Sequence, residues 1–189
     1  MYHIKSDRRS QSSATELARG LNQCLKTMPL TAVSIADLHR VTGISRATFY
    51  RLFDTIEDVL IYQLDDLLTK VQDACVQETA VSPYDAMRNL VILGFENTDV
   101  LESLVENRRF DLLYEYTAKR IFTLDVLRDT FSAGLNEEEA EYMISNLAMS
   151  MVATLTTWIR RGRRETPDEV FQHNSRYWDR LRQVMNSHT

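Results

Sequence analysis

The run Ser45-Arg46-Ala47-Thr48-Phe49-Tyr50-Arg51 gathers side chains whose chemistry suits recognition of a nucleic acid. An arginine fork matches the O6/N7 edge of guanine or two oxygens of a phosphate, so Arg46 can serve either. Thr48 can donate to a phosphate or lay its methyl against thymine, and Ala47 is small enough to let backbone approach base edges. Ser45 can offer its hydroxyl to the backbone of a duplex, and Tyr50 faces outward beside it. Arg51, Arg40 and His39 are further candidates for the duplex backbone. Arg8 and Arg9 read as a disordered arm ahead of the first helix.

Such chemistry needs a helix that presents its first turn outward. Ser34–Phe53, SIADLHRVTGISRATFYRLF, reads as two short helices hinged at Gly43. Ser34 is a good N-cap with Asp37 three residues on, and Leu38 and Val41 give an apolar stripe. Gly43 can take the left-handed backbone that ends a helix. Ser45 caps the second helix, and Ile44, Phe49 and Phe53 are spaced to pack back onto the first. Phe49, Leu52 and Phe53 are therefore assigned to core. This is a helix-turn-helix pattern, in which the second helix lies in the major groove.

Gly43-Ile44-Ser45-Arg46-Ala47-Thr48-Phe49-Tyr50-Arg51-Leu52-Phe53, followed by Glu57-Asp58-Val59-Leu60, resembles the signature of TetR/AcrR transcriptional regulators over roughly residues 8–62. In that family a Tyr-x-x-Phe pair closes the recognition helix, and Tyr50 resembles its phosphate-contacting tyrosine. Trp158-Ile159, Gly162-Arg163 and Glu165-Thr166-Pro167-Asp168-Glu169 are similar to a C-terminal subfamily that includes regulators of dihydroxyacetone kinase genes. Two positions depart from the pattern. Ile56 stands where the family usually has Lys, removing a phosphate contact, and His39 stands where a smaller residue is common.

The chain is acidic overall, with a formal net charge of -5, which taken alone argues against a nucleic-acid partner. Distribution reverses that reading. Residues 1–53 hold eight Lys/Arg against three acids, whereas the rest holds 14 against 24. A positive head on a negative body turns the head toward phosphates. Cys24 and Cys75 sit among apolar neighbours and read as buried thiols of a reducing compartment. The start of the chain is polar, and no run reaches the ~20 apolar residues of a membrane span. A cytoplasmic protein without a membrane association is expected.

The whole reads as all-α, about nine helices. A helix-turn-helix domain, 1–54, with the motif at 34–53, precedes a regulatory and dimerisation domain, 55–189. The first helix is expected from about Ser10 to Thr27, with Ala14, Leu17, Leu21 and Leu25 on one face. Asp54 and Glu57 match a capping box for a long fourth helix carrying Ile56, Leu60, Leu64, Leu67, Leu68, Val71 and Cys75. A fifth is expected from Pro83 to about Asn97, a sixth from Asp99 to Asn107, and a seventh from Arg109 to Phe131. Asn136 caps the eighth, which Gly162 ends. Thr166-Pro167-Asp168-Glu169 opens the ninth, running to about Asn186.

The eighth helix carries one apolar stripe through Ala140, Ile144, Leu147, Met151, Leu155 and Trp158. A second runs through Met149, Val152, Ala153 and Thr156. Phe171, Tyr177, Trp178, Leu181, Val184 and Met185 give the ninth an aromatic-rich face. A helix apolar on two sides must be covered on two sides. The family resemblance implies that these two helices pair with their copies, so that Met149, Val152, Ala153, Thr156, Phe171, Tyr177, Trp178, Leu181 and Met185 form a homodimer interface. It further implies a small-molecule effector among helices four to eight, with Tyr62, Met87, Phe95, Tyr114, Tyr116, Phe122 and Met151 as candidate lining.

Enzymatic chemistry finds little support. The four histidines are scattered, and no His-x-x-x-His, Glu-x-x-His or Cys-x-x-Cys spacing, phosphate loop or nucleophile elbow occurs. No catalytic residue, metal or cofactor is expected. The expected partner is double-stranded DNA, bound at a palindromic operator by a dimeric repressor. The alternative is an interaction adaptor whose C-terminal domain docks a partner protein instead of a metabolite.

Overall fold

A computed structural model describes residues 1–77, 88, 92, 98–123, 128–129 and 132–187. Among these, all regular structure is helical: α1 (Arg8–Leu25), a 3-10 turn (Leu30–Ala32), α2 (Ile35–Thr42), α3 (Arg46–Leu52), α4 (Ile56–Gln77), α5 (Thr98–Glu106), α6 (Phe110–Thr123), α7 (Glu137–Arg160) and α8 (Pro167–Asn186). The all-α expectation holds. All of the helix expected over 83–97 except residues 88 and 92, most of 124–131, and the side chain of Cys75 lie outside the described residues.

The chain divides into two compact units. One comprises Met1–Leu67 with Asp99–Leu113, the other Leu68–Thr98 with Tyr114–Thr189. The division between these units passes through α4, and the first also takes in most of α5 and the first turn of α6.

In the first unit α1, α2 and α3 pack on one another. Ala14, Leu17, Leu21 and Cys24 supply the buried face of α1, while Leu25 is only half-buried. Burial raises the Cys24 thiol above its ordinary pKa, leaving it a small apolar filler. Leu38, Phe49, Leu52 and Phe53 complete the core at 1% exposure or less, each contributing roughly 1.5–3 kcal/mol by leaving water.

Close approach of α1 and α2 depends on Gly20. A β-carbon there would fall inside the van der Waals envelope of Thr42 Cγ2. Thr42 has no freedom to turn away, because its hydroxyl donates to Leu38 O at 2.7 Å and accepts from Ile44 N at 3.1 Å.

Helix α1 begins two residues before the expected start. Asp7 caps it, accepting from the amide (2.9 Å) and hydroxyl (2.7 Å) of Ser10. At the start of α4 the capping pair is Thr55 and Asp58, not Asp54 and Glu57. Thr55 N donates to Asp58 Oδ2 at 2.8 Å and Asp58 N to Thr55 Oγ1 at 3.2 Å. Asp54 is drawn instead to His3 Nε2, 3.1 Å away.

In the second unit, Asn136 and Glu139 form the expected capping box of α7, and Thr166 and Glu169 that of α8. Gly162, at φ 78°, turns the chain between them. Trp158, Val170 and Phe171 make a shared core, and the Trp158 indole N–H donates to Glu165 O at 2.9 Å. Thr154 and Asn174 bond across the two helices at 2.9–3.0 Å. No described helix is long and apolar enough to cross a membrane.

Two outcomes are expected. Gly20→Ala should cost about 1–3 kcal/mol in thermal or denaturant unfolding, as overpacking at a helix contact does. Bonds from the amide and hydroxyl of Thr166 hold Glu169 below the ordinary carboxylate range. A lowered pKa stabilises the fold above the unfolded value, and the benefit is lost as pH falls through the folded one. Glu169→Ala should therefore lower the melting temperature at neutral pH and leave it unchanged in strong acid.

Candidate nucleic-acid interface

The turn that aims α3 is fixed at both sides. Ser34 caps α2 in a box with Asp37: Ser34 N donates to Asp37 Oδ2 at 3.0 Å and Asp37 N to Ser34 Oγ at 3.3 Å. Gly43 ends α2 at φ 71°, where an L side chain would be strained, and its N–H reaches His39 O at 2.8 Å. His39 Nδ1 lies 2.9 Å from Ile44 O and closes the turn from the other side. His39, an exposed residue expected to contact phosphate, is thus part of the hinge that positions α3.

Ser45 caps α3, accepting from Thr48 N at 3.2 Å, while its own hydroxyl lies 3.1 Å from Thr48 Oγ1. Phe49 and Leu52 point inward, and Phe53 follows them into the core. Ser45, Arg46, Ala47, Tyr50 and Arg51 consequently face solvent, with Thr48 half-buried between them. Tyr50 is 58% exposed and its ring meets Phe49 edge-on at 5.6 Å. Arg46 and Arg51 make no ion pair among the described residues, whereas Arg40 is paired with Asp37 on its own helix. Arg8 and Arg9 are exposed but form the first turn of α1, which corrects the expectation of a disordered arm.

One feature of this face has no local signal in the sequence. Tyr2 pairs with Phe53 in an isolated antiparallel bridge, and His3 N donates to Leu52 O at 2.7 Å. The Tyr2 ring lies 6.5 Å from Phe53 and 5.7 Å from Tyr62, and its hydroxyl donates to Asp65 Oδ2 at 2.7 Å. Tyr62, expected to line a ligand pocket, is thereby a member of the aromatic cluster of the head.

A three-helix head with an outward α3, followed by a long α4 and a helical body, has known counterparts. No protein-family model matches the chain, and no curated protein matches it in sequence. Among solved structures, a Listeria innocua protein superposes with a TM-score of 0.78 at 19% identity, over 95% of this chain and 96% of that one. A TetR transcriptional regulator from Streptococcus agalactiae superposes with a TM-score of 0.62 at 16% identity, over 88% and 93% respectively. The fold is TetR-like.

On a TetR-like body the expected interface residues divide. Met149, Ala153, Tyr177, Trp178, Leu181 and Met185 are exposed, Met149 by 50% and Trp178 by 42%. Val152, Thr156 and Phe171 are already buried in the single chain, Phe171 in the Trp158 cluster. Tyr142 and Met143, not expected from the sequence, are exposed on α7 as well. Of the expected pocket residues, Tyr114, Tyr116 and Met151 are half-buried in the second unit. Met87, Phe95 and the side chain of Phe122 lie outside the described residues. Among the described residues no group of three or more His, Cys, Asp or Glu side chains is arranged to hold a metal ion.

The two faces of α3 should separate cleanly on substitution. Tyr50→Ala should leave unfolding free energy within about 0.5 kcal/mol of the parent, and Phe53→Ala should cost about 3–5 kcal/mol. Denaturant titration followed by helical circular dichroism checks both.

Proposed function

We propose that this chain is a sequence-specific DNA-binding transcriptional regulator, not an enzyme: a cytoplasmic homodimeric repressor that occupies a palindromic operator. One observation carries the reading. Arg46, Ala47, Tyr50 and Arg51 stand exposed on a helix whose opposite face is locked into the core by Phe49, Leu52 and Phe53. Arg46 is assigned to a guanine edge or phosphate, Ala47 to close approach, and Ser45, Thr48 and Tyr50 to backbone phosphates. The TetR-like fold adds weight, since a solved protein of similar fold is named a transcriptional regulator.

A palindromic operator requires two heads about 34–36 Å apart, or a multiple of that. The second copy is assigned to the exposed stripe of α7 and α8, where Met149 and Ala153 stand with Tyr177, Trp178, Leu181 and Met185. Aromatic and aliphatic groups left in water on two helices favour such burial.

Release by a small molecule is the proposed control. Its support lies within the first unit, where Asn107, just past α5, accepts from Leu30 N at 2.7 Å and donates to Ser103 O at 2.8 Å. Arg109 pairs with Glu57 in the first turn of α4. A segment remote in sequence therefore holds both the turn after α1 and the start of α4. A ligand with unequal affinity for two placements of that segment would change DNA affinity by linkage.

The test is a gel shift with DNA from upstream of the chain's own gene. A discrete shift is expected whose affinity drops steeply with salt, by about 10³-fold or more between 50 and 200 mM for six or more phosphate contacts. Arg46→Ala should cost about 1–3 kcal/mol of binding. Leu181→Glu should yield monomers in sedimentation and abolish the discrete complex. A shift that requires a second protein would favour the adaptor reading, and no shift under any salt condition would reject both.

A further inference from the structure

The residues that precede α1 are bound to the far end of the recognition helix. Tyr2 and His3 run antiparallel to Leu52–Asp54: the bridge joins Tyr2 and Phe53, His3 N donates to Leu52 O at 2.7 Å, and Asp54 N donates to Met1 O at 3.3 Å. The Tyr2 side chain then crosses to α4. Its ring meets Tyr62 edge-on at 5.7 Å, Phe53 lies 5.9 Å from the same Tyr62, and the Tyr2 hydroxyl reaches Asp65 Oδ2 at 2.7 Å. His3 Nε2 sits 3.1 Å from Asp54 Oδ1 at the junction.

We infer that this strap is a positioning element of the DNA-reading face, and that Tyr2 is its principal residue, setting the angle at which α3 leaves α4. The inference rests on the proposed DNA-binding function for its consequence, though its geometry does not. Helix α3 is seven residues long and ends at Leu52. A helix of under two turns has few hydrogen bonds of its own, so its direction is set by what holds its ends. Ser45 and the His39 hinge hold the first end. At the second, the carbonyl of Leu52 and the amide of Asp54 have no partner inside a helix, and the strap satisfies both. Because Tyr2 also contacts Tyr62 and Asp65, a bond that ends α3 is tied to the second and third turns of α4. Recognition tolerates only small errors in placement, so loosening this tie should lower affinity without removing a phosphate contact.

Amide hydrogen exchange and DNA affinity of the full chain, with Tyr2→Ala, Tyr2→Phe and Asp65→Asn, test the inference. In Tyr2→Ala, exchange at Phe53 and Asp54 should quicken by about tenfold or more while Leu17–Leu21 of α1 keep their protection. Affinity for the upstream DNA should fall by about tenfold with an unchanged salt slope, because the number of neutralised phosphates is the same. Tyr2→Phe, which keeps the ring, should restore most of the affinity, and Asp65→Asn should match it. Unchanged exchange at Phe53 and Asp54 would overturn the inference. So would faster exchange throughout α1–α3, since Tyr2 would then be ordinary core. Local loosening with unaltered DNA affinity would overturn it too. If the parent chain binds no DNA the functional reading fails, and the exchange arm alone decides whether the strap fixes α3.

Discussion

The exposed face of α3 depends on how a helix of seven residues is anchored by its other face. Phe49 and Leu52 stand at i and i+3 on one side of the helix, and Phe53, the extended residue just past its end, adds a third large side chain to the core. All are at most 1% exposed. With that much apolar area committed inward, rotation about the helix axis would expose one ring or another to water. The outward direction of Arg46, Ala47 and Tyr50 is therefore a consequence of core packing. These exposed residues do not fix their own orientation; Phe49 and its neighbours fix it for them.

Local signals in the sequence were read correctly where the physics is local. Ser34 with Asp37, Asn136 with Glu139, and Thr166 with Glu169 each bond within four residues, so composition and spacing suffice to place them. Gly43 is of the same kind. The start of α4 is different: Asp54-x-x-Glu57 and Thr55-x-x-Asp58 are overlapping capping patterns, and spacing alone does not choose. Thr55 and Asp58 make the cap, while Asp54 engages groups remote in sequence, the Met1 amino group and His3. Tyr2 is invisible for the same reason, because its partners Phe53, Tyr62 and Asp65 are remote. The second stripe of α7 was misdivided by a different cause. A broad apolar arc shows that a helix is covered on two sides, but not which residues its own chain covers, and Val152 and Thr156 proved to be inside.

Charge on the head is likewise less uniform than a count suggests. Arg19 pairs with Glu16 and Arg40 with Asp37, each within its own helix. Such exposed pairs contribute little to stability, yet they cancel charge that would otherwise act at a distance. Arg46 and Arg51, on α3 itself, are not cancelled by any pair among the described residues. Acids also stand nearby at the first turn of α4, where the helix dipole favours Glu57 and Asp58. Ile56 supplies no cation there. Arg46 and Arg51 thus keep their charge on α3, and the loss of the contact that a Lys at position 56 would make places more of the proposed recognition on Arg46 and Tyr50.

The last turns of α8 bear on the proposed assembly. From Arg176 to Ser187 every residue is exposed, and Tyr177, Trp178, Leu181, Val184 and Met185 fall at i, i+1, i+4, i+7 and i+8. That is the pattern of a helix with a single apolar face. An isolated helix of this length is marginal in water, and most helical stability in proteins comes from packing such a face. If the proposed second copy supplies the packing, ordering of α8 and dimerisation are one equilibrium, and the stability of this region depends on protein concentration by mass action. The same contact would then set whether two heads exist to span an operator. Val170 and Phe171, buried at the start of the helix, anchor it to its own chain regardless. The helix is therefore divided along its length: its first turns are buried against its own chain, and its last turns carry an exposed apolar face.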